Sequence, residues 1–116
     1  MIADGIETTA LITDWTKVKV EHPAPGIKRQ MVVGQNVMMV RFTFDPFTVT
    51  PQHTHPHEQM TLVVKGRVKF FVSGEEHIVS AGDVLHFPPN NLHGATMLEE
   101  EVVLIDIFSP IREDFL

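Results

Sequence analysis

HTHPHEQMTLVVKGRVKFFV, residues 53–72, sets a cluster of imidazoles directly before two strand-like runs. Gln59 to Val64 and Arg67 to Val72 are rich in β-branched and aromatic residues and read as strands. Lys65-Gly66 parts them at a position where glycine permits a positive φ, so a hairpin is expected. In an extended segment His53 and His55, two residues apart, leave the same face, and Gln59 keeps that parity. His93, beyond a Pro-Pro-Asn-Asn turn, is brought opposite them if the sheet folds back on itself.

The pattern continues outward. Upstream, Val37 to Phe44 reads as a strand with Met38, Val40, Phe42 and Phe44 on one face, closed by Asp45-Pro46. Downstream, Ser73-Gly74-Glu75 and Ala81-Gly82-Asp83 are turns that set off strands at His77 to Val79 and Val84 to Phe87. Glu101 to Phe108 is the last strand, and Pro110 stops it because proline cannot donate to a ladder. The first thirty residues carry little signal beyond a short strand near Thr9 to Ile12 and the turn-rich His22-Pro-Ala-Pro-Gly26. No stretch shows a helical stripe, so the fold class is all-β. Roughly eight to ten short strands in one small domain imply a sandwich, jelly roll or barrel.

Bulk properties exclude several function classes. A chain of 116 residues supports one core, so residues 1–116 are expected to form a single domain. Apolar residues make up 43% and charged residues 21%, which rules out a disordered or collagen-like chain. A formal charge of −6 with no Lys/Arg cluster argues against nucleic acid or anionic membrane as partner and favours a small molecule. The Glu99 to Glu101 run is a solvated turn. With no cysteine, any metal must take nitrogen and oxygen ligands, and a reducing cytoplasm is the expected compartment. The start lacks the pattern of a signal peptide, and no apolar run approaches the roughly 20 residues that span a bilayer.

His53-Thr-His55-Pro-His-Glu-Gln59, six residues and Gly66 form a first motif; Gly82, five residues, Pro88-Pro-Asn90, two residues, His93, three residues and Met97 form a second. Together, residues 53–66 and 82–97 resemble the paired motifs of the cupin superfamily, and the fifteen residues between Gly66 and Gly82 are similar to the compact spacing of small bacterial cupins. The resemblance implies a cupin jelly-roll β-barrel, the double-stranded β-helix. It also makes His53, His55, Gln59 and His93 the ligands of one divalent transition metal, with Ni, Zn, Mn, Fe and Co all compatible. His22, His57, His77 and His86 are left as surface or hydrogen-bonded residues. Three positions depart from the general pattern: Gln59 for Glu, Asn90 for Gly and Met97 for Asn. Asn90 tolerates a left-handed turn and Met97 is expected in packing. Gln59 matters chemically, because a neutral ligand leaves the charge of the ion uncompensated and makes it a stronger Lewis acid.

The tail Asp106-Ile-Phe108-Ser-Pro-Ile-Arg112-Glu-Asp-Phe-Leu116 follows a strand whose parity puts Val102, Leu104, Asp106 and Phe108 on one face. A carboxylate on an apolar stripe either lies buried beside the metal, or ends an exposed face or pairs with Arg41. The tail, joined to the His-His-Gln-His motif, resembles the KdgF family of small cupins, which open the ring of 4,5-unsaturated monouronates to linear 5-keto-4-deoxyuronates in pectin and alginate breakdown. That resemblance implies functional roles for Asp106, Phe108 and Arg112. Asp106 is suited to move protons, Phe108 to pack on a sugar ring, and Arg112 to hold a carboxylate with its planar fork. An iron cupin dioxygenase is the enzyme alternative, and a non-catalytic, metal-dependent sugar-binding cupin the alternative from another class. Cupins of this size often resemble dimers, so a homodimer is expected.

Overall fold

A computed structural model describes residues 9–116. The segment that begins at Met1, on which the absence of a signal peptide was read, lies outside these residues up to position 8. The described chain forms ten strands: β1 (Glu21–Ala24), β2 (Ile27–Val33), β3 (Met38–Phe44), β4 (Val49–His53), β5 (Glu58–Lys65), β6 (Arg67–Val72), β7 (Glu75–Ser80), β8 (Val84–Phe87), β9 (His93–Met97) and β10 (Val102–Ser109). Short 3₁₀ turns sit at Trp15–Lys17 and Glu113–Phe115. A six-stranded antiparallel sheet in the order β1-β2-β3-β10-β5-β8 faces a four-stranded sheet in the order β4-β9-β6-β7. The expected all-β cupin barrel is therefore present. Among the described residues no helix is long and apolar enough to cross a membrane.

Alternation sets what each strand buries. On β5, Gln59, Thr61 and Val63 point inward while Met60, Leu62 and Val64 face out. On β10, Val102, Leu104, Asp106 and Phe108 are buried, as their parity predicts, and Met38, Val40 and Phe44 do the same on β3. The inner faces of both sheets meet around Phe44, Val68, Phe70, Phe87, Met97 and Leu104. Met97 is fully buried there, in the packing role expected of it.

The hairpin expected across Lys65-Gly66 is not formed. β5 already has both edges occupied, by β10 and β8, so the chain leaves the large sheet at Gly66 and β6 joins the small one. Gly66 has φ +88, and a Cβ there would lie 2.6 Å from the carbonyl oxygen of Glu101, so a side chain is excluded twice over. β6 instead makes its hairpin with β7, turned by Ser73 and Gly74, both at positive φ, the combination that matches strand twist. Asn90 adopts the left-handed conformation anticipated for it, with φ 65.

Four further differences concern strands. Thr9 to Ile12 is irregular rather than extended in a sheet, and Leu11 and Ile12 are exposed. His22 to Ala24, read only as turn, belongs to β1, with the turn confined to Pro25-Gly26. β2 and β4 carry no apolar alternation: Lys28, Arg29 and Gln30 interrupt the first, and Pro51 the second. Gln30 is nonetheless buried, because its amide donates to the carbonyls of Trp15 and Val18 and accepts from Arg41. Glu99 and Glu100 do form an exposed bend before β10.

Candidate functional site

The four proposed ligands do not share one strand face. His53 ends β4 in the small sheet, His55 lies in the connection, and Gln59 is the second residue of β5 in the large sheet, so parity along one extended segment is not what unites them. They converge because the connection crosses between sheets. His93, at the start of β9, is the register partner of His53. The ring centroids lie 4.7 Å apart for His53 and His93, 5.1 Å for His55 and His93, and 5.6 Å for His53 and His55. Gly94 permits this closeness. A Cβ at that position would stand 2.9 Å from backbone atoms of Thr50 and Gln52, so only glycine lets β4 approach β9 beside the two imidazoles.

Each imidazole is oriented through its Nδ1. His53 meets the carbonyl of Pro51 at 2.9 Å, His55 that of His57 at 3.0 Å, and His93 that of Asn91 at 2.9 Å. A carbonyl only accepts, so each Nδ1 carries the hydrogen and each Nε2 keeps its lone pair for the interior, as in histidines whose other ring nitrogen is tied back while one binds a metal. One ligand atom from each ring lies within 4.8 Å of the others. Burial, with the positive charge of Arg112, holds the His55 pKa below its usual range, and burial pushes that of His93 down to about 4. Both therefore stay neutral, the form that binds a metal.

Gln59 brings its Oε1 to 3.0 Å from Nε2 of His55. With the His55 hydrogen on Nδ1, these are two lone pairs facing each other, an arrangement that a shared cation resolves. The set of three imidazole nitrogens with an amide oxygen at its edge fits a divalent transition metal.

Beside this cluster, Asp106 is buried on β10, register partner of Thr61 on β5 and of Val40 on β3. It does not pair with Arg41, whose guanidinium bonds to Gln30, so the exposed-face alternative is excluded. Gln59 Nε2 donates to Thr61 Oγ1 at 2.9 Å, and Thr61 Oγ1 donates to Asp106 Oδ1 at 2.6 Å. Burial pushes the Asp106 carboxyl up to about 6, although Thr61, Arg112 and Gln59 all favour its charged form. A glutamate in place of Gln59 would put a second carboxylate one hydroxyl away from it; the neutral amide avoids that repulsion.

Phe108 packs edge-on to His55 at 5.7 Å and to Phe115 at 5.7 Å. Arg112 lies over both rings, 5.1 Å from Phe108 and 4.1 Å from Phe115. Its Nη2 and Nε donate to the two carboxylate oxygens of Asp114 at 2.7 and 3.3 Å, which leaves the Nη1 edge free to meet a ligand. His53, Gln59, His93, Asp106, Phe108 and Arg112 all line one cavity of about 310 Å³ that reaches down to the apolar core. Thr61, Asp114 and Phe115 were not singled out from the sequence. Parity with Gln59 puts Thr61 on the inner face of β5, but its contact with Asp106 depends on the pairing of β5 with β10, and the contacts of Asp114 and Phe115 depend on how the tail folds back. His77 and His86 are exposed beside Glu75 and Glu58, as surface residues should be.

Fold and site together define a small β-barrel with a histidine-walled pocket able to hold a metal ion. The family model described as a cupin domain matches residues 40–108. The pectin degradation protein KdgF of Dickeya dadantii (strain 3937) is 38% identical over 98 residues, covering 83% of this chain and 89% of that relative. The structure of KdgF from Halomonas sp. superposes with a TM-score of 0.88 at 33% identity, covering 93% of this chain and 100% of the other. An RmlC-like cupin from Shewanella frigidimarina NCIMB 400 gives 0.87 at 34% identity, covering 93% and 97%. The chain belongs to the cupin family and, within it, to the KdgF group.

Proposed function

We propose that this protein opens the ring of 4,5-unsaturated monouronates to linear 5-keto-4-deoxyuronates, with His53, His55, Gln59 and His93 holding one divalent metal. The observation that carries this reading is the buried Asp106, joined through Thr61 to Gln59 at the edge of the histidine cluster, with the Arg112 cation in the same cavity. Similarity to a pectin degradation protein supports the substrate class.

The chemistry is an isomerisation. The anomeric hydroxyl loses its proton, the bond between C1 and the ring oxygen breaks, and C1 becomes an aldehyde. The ring oxygen is left as an enolate on C5, and a proton delivered to C4 turns that enolate into the ketone. A bound metal would supply Lewis acidity toward the oxygens of the substrate. Asp106 takes the hydroxyl proton and returns one to carbon; a carboxyl whose pKa is about 6 can do both near neutral pH. Arg112 holds the carboxylate of the substrate by the guanidinium edge that Asp114 leaves open. Phe108, already a wall of the cavity, packs on the ring.

The test is decay of the ultraviolet absorbance of a lyase-generated monouronate mixture on addition of metal-loaded protein. Conversion to the linear keto acid is expected. Tight uronate binding without decay would replace the enzyme by a sugar-binding protein, and metal-dependent oxygen uptake would replace it by an oxygenase.

We also infer that the working unit is a homodimer. The outer face of the large sheet carries Met39, Ile107 and Met60 as successive register partners, with Leu62 and Val84 paired beside them, all solvent-exposed. Sedimentation should give a dimer and Met60→Lys should shift it toward monomer; a monomeric wild type overturns the inference.

A further inference from the structure

We propose that Thr61 is the positioning residue that decides which end of the Gln59 amide meets the metal. This inference rests on the metal site described above and concerns how the protein prepares it. A primary amide has two ends of nearly equal shape, and only the oxygen can ligate a cation. With the NH₂ end turned inward, Gln59 would present hydrogens to the ion. Something has to break that symmetry.

Thr61 has one hydroxyl hydrogen, and it is committed. Oγ1 donates to Asp106 Oδ1 at 2.6 Å, and the residue is about 1% exposed. What remains toward Gln59 is a pair of lone pairs, which accept from Nε2 at 2.9 Å and reject the amide oxygen. Oε1 is thereby turned to the His55 side, 3.0 Å from Nε2 of that ring. The two residues share the inner face of β5, two positions apart, so the backbone fixes their spacing. Asp106 is the register partner of Thr61 on β10, so the donor direction is set by the large sheet as a unit. Thr61 itself touches neither the ion nor the substrate.

The experiment is a Co²⁺ titration of chelator-stripped protein, followed by calorimetry and by the visible spectrum of the bound ion. Thr61→Val, nearly isosteric but without the hydroxyl, should bind about tenfold to a hundredfold more weakly, the usual cost of losing a group that orients a ligand. Thr61→Ser, which keeps the hydroxyl, should stay within about threefold of wild type. The melting temperature of the metal-free variants monitors the fold separately, and Thr61→Ala takes the same part if Thr61→Val does not fold. A carboxylate has no wrong end, so in the Gln59→Glu background the further change Thr61→Val should cost less than about threefold. Wild-type affinity in Thr61→Val, equal loss in Thr61→Ser, or equal loss in both backgrounds each overturns the role of Thr61. A wild-type protein that binds no Co²⁺ at all overturns the metal site itself, and the role of Thr61 with it.

Discussion

The cavity has two unlike walls, and each sheet supplies one. The small sheet contributes His53 and His93 from β4 and β9, neutral imidazoles tied by backbone carbonyls, with His55 held in the same way in the connection that leaves β4. The large sheet contributes Gln59, Asp106 and Phe108 from β5 and β10, with Thr61 behind them linking Gln59 to the buried Asp106 carboxyl by hydrogen bonds. Burial acts on both walls and moves their pKa values in opposite directions, His93 down to about 4 and Asp106 up to about 6. Desolvation always penalises the charged form, so one environment keeps the bases unprotonated and the acid close to neutrality. Gln59 is the seam, facing His55 on one side and Thr61 on the other.

If the walls divide labour in this way, single changes should separate metal binding from turnover. The largest effect belongs to His93→Ala, which should weaken metal binding by more than about a hundredfold, beyond what loss of an outer partner costs. Calorimetry on the metal-free protein measures it; unchanged affinity would mean that the small-sheet wall does not hold the ion. Next comes Asp106→Asn, which should lower turnover by about 10²- to 10⁴-fold with metal content intact. Joint loss of metal and activity in that variant would show that the walls cannot be separated, and full activity would remove Asp106 from the chemistry.

The two walls were not equally legible in the sequence. Asp106 and Phe108 could be placed on one inward stripe because β10 is regular and its period of two survives from Val102 to Phe108. The histidines were found by spacing, but for a reason the structure replaces: β4 ends at His53 and the chain changes sheet before Gln59. Pairing partners were the poorest part. Gly66 announces a break without saying whether the chain turns back or crosses over, because that depends on β10 and β8 having taken both edges of β5. β9 was hidden for a related reason, since Gly94 weakens a strand signal while serving the close approach of β4. Thr61 needed the register of β10 against β5, which no local pattern carries.

A smaller effect is expected at the cavity rim, where Arg112 serves the large-sheet wall from the tail. Its guanidinium stacks on Phe108 and Phe115 and uses one edge on Asp114. Arg112→Lys keeps the charge and loses both the fork and the planar stack. On the proposed grip of the carboxylate in ground and transition states alike, KM for the uronate should rise about tenfold or more while kcat falls less. Steady-state kinetics decide it; a fall in kcat at constant KM would put Arg112 among the groups acting on the reacting atoms.

The finest test of the two-wall picture is the stability of the metal-free protein against pH. His93 titrates near 4 when folded and near 6.5 when unfolded, so between those values the unfolded chain holds more protons and stability rises with pH. His55, also held down, adds to that rise. Asp106 titrates near 6 when folded and near 3.8 when unfolded, so over most of the same window the folded chain holds more protons and stability falls with pH. In the wild type the opposing slopes offset each other in part. Asp106→Asn should steepen the rise between about pH 4 and 6 by up to one proton, or about 1.4 kcal/mol per pH unit, and His93→Gln should flatten it by a similar amount. Urea unfolding with chelator at a series of pH values reads these slopes. Parallel slopes in all three proteins would mean that burial does not pull the two walls apart; slopes that diverge in this order would place the opposition in the folded protein itself, before any metal is bound.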